Sequence, residues 1–207
     1  MDKSYISINN LCKSFDNTKI IDNLSFSINQ GDLVKISGKN GSGKSTLLKI
    51  FAQIYKQDAG EIRLEGENIN NSSKYKSKIS YCSTDFIYYR DLTVKKNIIF
   101  YFRIIGEKNY KELYEKNKKF LNLEEFEHFY PENLSNGQKK KMNLFRALVP
   151  RFEIYLIDEP ENGLDKESLN ELDQKLEALI AQNTILYTSH NVNSLNFFEK
   201  TKKELKL

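Results

Sequence analysis

The octapeptide Gly38-Lys39-Asn40-Gly41-Ser42-Gly43-Lys44-Ser45 fits G-x-x-x-x-G-K-[ST], and it restricts the fold more tightly than any other stretch of the chain. Such a loop needs a strand that delivers it and a helix that leaves it. Leu33-Val34-Lys35-Ile36-Ser37 reads as that strand, and Leu47, Leu48, Ile50, Phe51 and Ile54 recur behind the loop at helical spacing. Glycines let backbone N–H groups curl around phosphate oxygens, and a helix starting near Lys44 turns the positive end of its dipole to the anion. The pattern assigns Gly38, Asn40, Gly41, Ser42, Gly43 and Thr46 to phosphate binding, Lys44 to the outer phosphates and Ser45 to a Mg2+ ion.

The remaining patterning points to an α/β fold. Ile6 and Ile8, then Leu24, Phe26 and Ile28, alternate as half-buried antiparallel strands do, and Gly60 and Gly66 bracket a short strand from Glu61 to Glu65. Ile154-Tyr155-Leu156-Ile157 and Thr184-Ile185-Leu186-Tyr187-Thr188 are the continuous runs of parallel strands buried on both faces. Between them Leu169, Leu172, Leu176 and Leu179 line one helix face, so this unit predicts a right-handed crossover. From about Asp91 to Pro150 Lys, Glu, Asn and Tyr dominate with helical periodicity, which reads as a mostly helical insert.

Composition narrows the class. A chain of 207 residues, 39% hydrophobic and 29% charged, suits one soluble domain with an insert. The net charge of +4 is spread along the chain, so no nucleic-acid partner is expected. Cys12 and Cys82 form no CxxC pair, which suits a reducing compartment. The N-terminus lacks the apolar core of a signal peptide, and the apolar run Ile98–Phe102 is broken by Arg103 well short of the ~20 residues of a membrane span. Any membrane contact is expected through partners alone.

Asp158-Glu159 ends the strand Ile154–Ile157 in two carboxylates, as a Walker B segment does. At the carboxyl end of a parallel strand Asp158 is expected to hold Mg2+ through water, and Glu159 to polarise the water that attacks a γ-phosphate. Leu134-Ser135-Asn136-Gly137-Gln138 lies upstream of this pair and opens a helix, Gly137 to Val149, that Pro150 stops. Here the chain resembles the ATP-binding cassette (ABC) family, whose signature LSGGQ it repeats with Asn136 at the third position. The resemblance implies that Ser135, the Gly137 amide and Gln138 contact the γ-phosphate of a partner subunit's ATP; an ordinary N-cap serine is the plainer reading. Asn162-Gly163-Leu164-Asp165 resembles the D-loop, with Asp165 reaching across the dimer, and His190 matches the switch histidine that senses the γ-phosphate. Phe15 resembles the aromatic residue that stacks on adenine, with a core role as its alternative. Lys139-Lys140-Lys141 reads as a solvated helix face.

One position departs from the family. Thr84 stands where the Q-loop glutamine is expected, and no Gln occurs between Gln57 and Gln138. Thr is shorter and offers only a hydroxyl, so looser coupling is expected unless Asp85 or a water fills the gap. The resemblance, which covers roughly Phe15 to His190, implies a P-loop NTPase core with an antiparallel β subdomain and an inserted α-helical subdomain: one ABC ATPase domain over 1–207, core 1–83 and 151–207, helical part 84–150. It implies ATP and Mg2+ as cofactors, a second ATP-binding subunit, identical or not, and transmembrane subunits that convert the ATP cycle into transport. The place implied is cytoplasmic, on the inner face of the membrane. Only 17 residues follow His190, so no C-terminal regulatory domain is expected. The Ile36–Gly41 approach and the Asp58-Ala59-Gly60 turn resemble the ATP-binding subunit of the cytochrome c maturation (haem exporter) complex. The alternative is a soluble ABC ATPase of the iron–sulfur assembly type.

Overall fold

A computed structural model describes residues 4–70, 72–190, 195–201 and 203–207. The chain runs β1 (Ile6–Phe15), β2 (Thr18–Ile28), β3 (Leu33–Ser37), α1 (Lys44–Phe51), β4 (Ala59–Leu64), β5 (Glu67–Asn68), α2 (Ser73–Lys76) and β6 (Ile79–Cys82). It continues through α3 (Val94–Ile104), α4 (Tyr110–Asn117), α5 (Asn136–Leu148), β7 (Ile154–Asp158), α6 (Lys166–Ile180), β8 (Thr184–Thr188) and β9 (Lys203–Lys206). Short 3-10 turns cover Phe120–Glu125, Pro131–Asn133 and Asn196–Lys200.

The strands form two sheets. One is parallel, in the order β6-β7-β8-β3-β9; the other is antiparallel, in the order β2-β1-β4-β5. Every residue of β7 and β8 is buried, which is why both read as unbroken apolar runs rather than alternations. Their two faces still separate by period 2. Val34, Ile36, Ile154, Leu156 and Leu186 pack with Leu47, Leu48, Ile50 and Phe51 of α1 and with the inner face of the antiparallel sheet. Leu33, Tyr155, Ile157, Ile185 and Tyr187 pack on the other side with Leu172 and Leu176 of α6.

The helical stretch has its own core of Val94, Ile98, Phe102, Tyr114, Phe126, Met142 and Phe145. Helix α5 serves both cores, since Leu144, Ala147 and Leu148 pack beneath the parallel sheet. Tyr114 is wholly buried and donates its hydroxyl to Glu127 at 2.6 Å.

Some boundaries differ from the sequence expectation. Ile54 lies outside α1 and is exposed, because Gln53 takes a left-handed conformation (φ 55) that ends the helical path. The strand expected over Glu61–Glu65 is β4; it starts at Ala59 and stops at Leu64, where Glu65 (φ 53) and Gly66 turn the chain into β5. Helix α5 starts at Asn136 rather than Gly137 because Ser135 caps it. Cys12 and Cys82 are free thiols, and burial pushes the Cys82 thiol up. Among the described residues no helix is long and apolar enough to cross a membrane.

Candidate functional site

Parallel register brings three strand ends into one row: Ile36 pairs with Thr188, and Thr188 with Asp158. The glycine-rich loop after Ser37, the Asp158-Glu159 pair and Ser189-His190 therefore leave the sheet side by side at its carboxyl edge, the ligand-binding edge of open parallel sheets. A cavity of about 290 Å³ there is lined by Phe15, Asn40, Gly41, Gly43, Lys44, Ser45, Thr46, Glu159 and His190, with Ile20.

Gly43 is the N-cap of α1 at φ 99, and a Cβ there would lie 2.5 Å from Ile20 Cγ2, so only glycine fits. A glycine cap offers no side-chain acceptor, and the first turn of α1 carries no acidic residue. The leading amides and the positive dipole end are thus left to a ligand. Lys44 is buried, and its ammonium donates to the carbonyls of Gly38 and Lys39, both at 3.1 Å. The ammonium therefore lies across the loop that would hold the phosphates. Ser42 Oγ is buried with no hydrogen-bond partner among the described residues. Gly38 begins the loop at the end of β3.

Asp158 is fully buried. Its Oδ1 accepts the Thr188 hydroxyl proton at 2.6 Å, and the same hydroxyl oxygen accepts the Glu159 N–H at 3.0 Å. Among the described residues Asp158 Oδ2 has no hydrogen-bond partner. A buried carboxylate oxygen without a donor is costly unless a cation completes it. With the Ser45 hydroxyl lining the cavity, the donors are the oxygen types Mg2+ takes, so Asp158 and Ser45 fit that ion.

Glu159 adopts the left-handed conformation (φ 46). Its Oε1 meets His190 Nε2 at 2.5 Å, and its Oε2 accepts a hydrogen bond from Asn162 Nδ2. Its carbonyl accepts from Lys140 Nζ at 2.7 Å, and the Asp158 carbonyl from the same ammonium at 3.3 Å. This corrects the reading of Lys139-Lys140-Lys141 as a solvated face: Lys140 is 4% exposed, because its position on α5 points under the acidic turn. Lys141 is also occupied, ion-paired with Asp165 at 3.0 Å.

The signature and D-loop residues do not line the cavity. Ser135 and Gln138 form a capping box on α5: Ser135 Oγ accepts the Gln138 N–H at 3.2 Å, and Gln138 Oε1 accepts the Ser135 N–H at 3.0 Å. Gly137 packs against the D-loop, where a Cβ would lie 2.9 Å from the Gly163 carbonyl. Asp165 caps α6 by accepting the Ser168 N–H at 2.9 Å; that bond, then Lys141, holds its carboxyl well below the usual range.

Phe15 is not a core residue. It is 40% exposed at the end of β1, its ring edge-on to Tyr55 at 5.5 Å with the Lys13 ammonium 5.0 Å from its centroid. Thr84 is exposed. The Asp85 carboxylate pairs with Lys49 Nζ at 3.0 Å, which ties it to α1. Two further residues hold the acidic strand end in place, Thr188 and Lys140. A threonine at the carboxyl end of a buried strand is the only signal the sequence held for the first.

A family model described as "ABC transporter" matches residues 21–162. The Fe(3+) ions import ATP-binding protein FbpC of Photorhabdus laumondii is 30% identical over 194 residues, covering 91% of this chain and 55% of that protein. The sulfate/thiosulfate import ATP-binding protein CysA of Shigella flexneri is 33% identical over 180 residues, 84% of this chain and 49% of that one. The chain spans about half the length of the curated relatives it matches. Among solved structures, the dimeric bacterial ABC transporter cassette MJ0796 superposes with a TM-score of 0.85 at 26% identity, over 98% of this chain and 94% of that one. A post-hydrolysis dimer of the same cassette, bound to ADP and Pi, gives 0.85 at 24% identity, with the same coverage. The family match spans the glycine-rich loop, the signature and the acidic strand end, and on that ground the chain belongs to the ABC transporter family.

Proposed function

We propose that this chain binds and hydrolyses ATP and that the cycle drives transport by membrane subunits. The observation that carries this is the linkage Asp158–Thr188–Glu159–His190, built beside an uncapped helix N-terminus and a buried lysine. Gly38, Asn40, Gly41, Ser42, Gly43 and Thr46 would cradle the phosphates, with Lys44 on the outer ones and Phe15 against adenine. Ser45 and Asp158 would hold Mg2+, which when bound neutralises charge on the transferring phosphoryl group. Glu159, fixed by His190 and Asn162, would take the proton of the attacking water, and His190 would report the γ-phosphate. Catalysis would then be mostly positioning and charge stabilisation.

Ser135, Gly137, Gln138 and Asp165 lie outside that cavity in one subunit, which supports roles on a second subunit's nucleotide. The dimeric form of the solved cassette is in keeping with that. The arrangement we propose is one domain, core 1–83 and 151–207 with a helical part 84–150, held at the inner face of the membrane by transmembrane partners. Haem export has no counterpart among the relatives above, both import subunits by name, so the direction we propose is import. The same names weigh against the iron–sulfur assembly reading.

The test is Mg2+-dependent phosphate release by the purified chain. We expect Lys44→Ala to abolish it; activity that survives this change would overturn the assignment of the loop.

A further inference from the structure

A second cavity, of about 890 Å³, opens at the opposite edge of the parallel sheet. Its walls come from the residues before β7 and β8, including Arg151, Phe152 and Gln182, together with α4, the end of α5 and α6. Strands of five residues rising ~3.3 Å each put the two edges about 15 Å apart, so this space is separate from the nucleotide cavity. Its volume is within the ordinary range for small-molecule sites.

The charges in it are unbalanced. Lys175, half-buried on α6, and Arg151, just past α5, both line the cavity, and among the described residues neither has an ion-pair or hydrogen-bond partner. Of the two acidic side chains in the lining, one is ion-paired and the other holds a backbone hydrogen bond, so the lining carries one more positive charge than negative. Glu112 pairs with Lys116 at 2.6 Å, and Glu107 Oε1 accepts the Asn109 N–H at 3.2 Å. Burial, and then the Arg151 charge, holds the Lys175 ammonium below its usual range. A lysine merely snorkelling along α6 would carry its head to open water. Here Lys175 is half-buried and lines a concave space together with Arg151, which is exposed at its rim.

We infer that this cavity binds a small organic anion carrying two negative charges, a phosphate monoester or a dicarboxylate, between the Arg151 guanidinium and the Lys175 ammonium. The planar guanidinium offers a two-pronged contact to such a group, and the ammonium a point charge. Phe152, Leu113 and Leu179 supply apolar wall for the carbon skeleton.

The test is calorimetric titration of the full chain, with saturating ADP occupying the glycine-rich loop. The probes are glucose 6-phosphate, succinate and, as the neutral control, glucose. We expect saturable binding of one equivalent of at least one anionic probe, none of glucose, and a loss of about tenfold or more in Arg151→Gln and in Lys175→Gln. Tighter binding of glucose 6-phosphate identifies the phosphate class, and tighter binding of succinate the dicarboxylate class. A second readout needs no ligand identity: Lys175→Met relieves the cation–cation strain, so its melting temperature without anion should rise, and the anion-dependent rise of the parent should vanish. The inference is overturned if neither anion binds saturably, if both glutamine variants bind as the parent does, or if ADP displaces the probe.

Discussion

Thr188 joins two acidic residues with a single hydroxyl, donating to Asp158 Oδ1 and accepting from the Glu159 N–H. A valine has the same shape without the hydroxyl, so Thr188→Val would leave both groups unpaired. The cost of such unpaired groups is about 1–3 kcal/mol, to be read from urea unfolding. Misplacing the partners of a reacting group typically lowers activity about ten- to a hundredfold, so turnover should fall by that much while nucleotide binding survives, and Thr188→Ser should restore most of it. A Thr188→Val protein with parental turnover would remove Thr188 from the site. At this scale the sequence was legible where chemistry is local. Gly43 must be glycine because its backbone is left-handed and crowded by Ile20, and the motif says as much. Thr188 was not legible, because its partners are 29 and 30 residues away and become neighbours only through parallel pairing.

Helices α5 and α6 show how elements tie the motifs together. Lys140 anchors α5 to the carbonyls of Asp158 and Glu159, and Lys141 ties the same helix to the cap of α6. Lys140→Met keeps the length and removes the donor. We expect unfolding stability to drop by about 1–3 kcal/mol, as for a buried acceptor losing its partner. Turnover should fall more than nucleotide affinity, because the backbone of Glu159 loses its brace; equal losses in both would point to general destabilisation instead. Asp165 supplies a pH signature. Its folded carboxyl is depressed by the Ser168 N–H and Lys141, so its contribution is complete above the ordinary carboxylate value of about 3.9 and is lost as pH falls below that toward the folded value. Asn can still cap the helix, so Asp165→Asn removes the charge alone. The stability gap between the two proteins should be small, since the side chain is 58% exposed, and should close in acid; a gap constant from pH 7 to 2 would refute the ion-pair account. The capping box of α5 could be read from Ser135 and Gln138 three residues apart, whereas the burial of Lys140 inside a run of three lysines could not.

For the whole molecule, the three cores show why the chain needs all its parts. One face of the parallel sheet is covered by α1 and the antiparallel sheet, the other by α5 and α6, and α5 also belongs to the helical core. With Ser135, Gln138 and Asp165 outside the cavity beside the glycine-rich loop, a complete site is expected under the proposed function only with a second copy or a relative. Glu159→Gln should therefore bind ATP, turn it over slowly and elute at twice the monomer mass in gel filtration. A monomer at every ATP concentration would count against the shared site. The sequence by itself determined the glycine-rich loop, the buried runs of β7 and β8, the cap of α5 and the acidic strand end, since each rests on backbone conformation or hydrophobic period within a few residues. Only the tertiary structure decided that Thr188 bridges Asp158 to Glu159, that Lys140 is buried beneath them, that Asp85 pairs with Lys49, and that Arg151 and Lys175 share a cavity with no ion-pair partner of their own among the described residues. Pairing and burial between distant segments follow from strand register and packing, and a charge acquires its chemical meaning from what surrounds it.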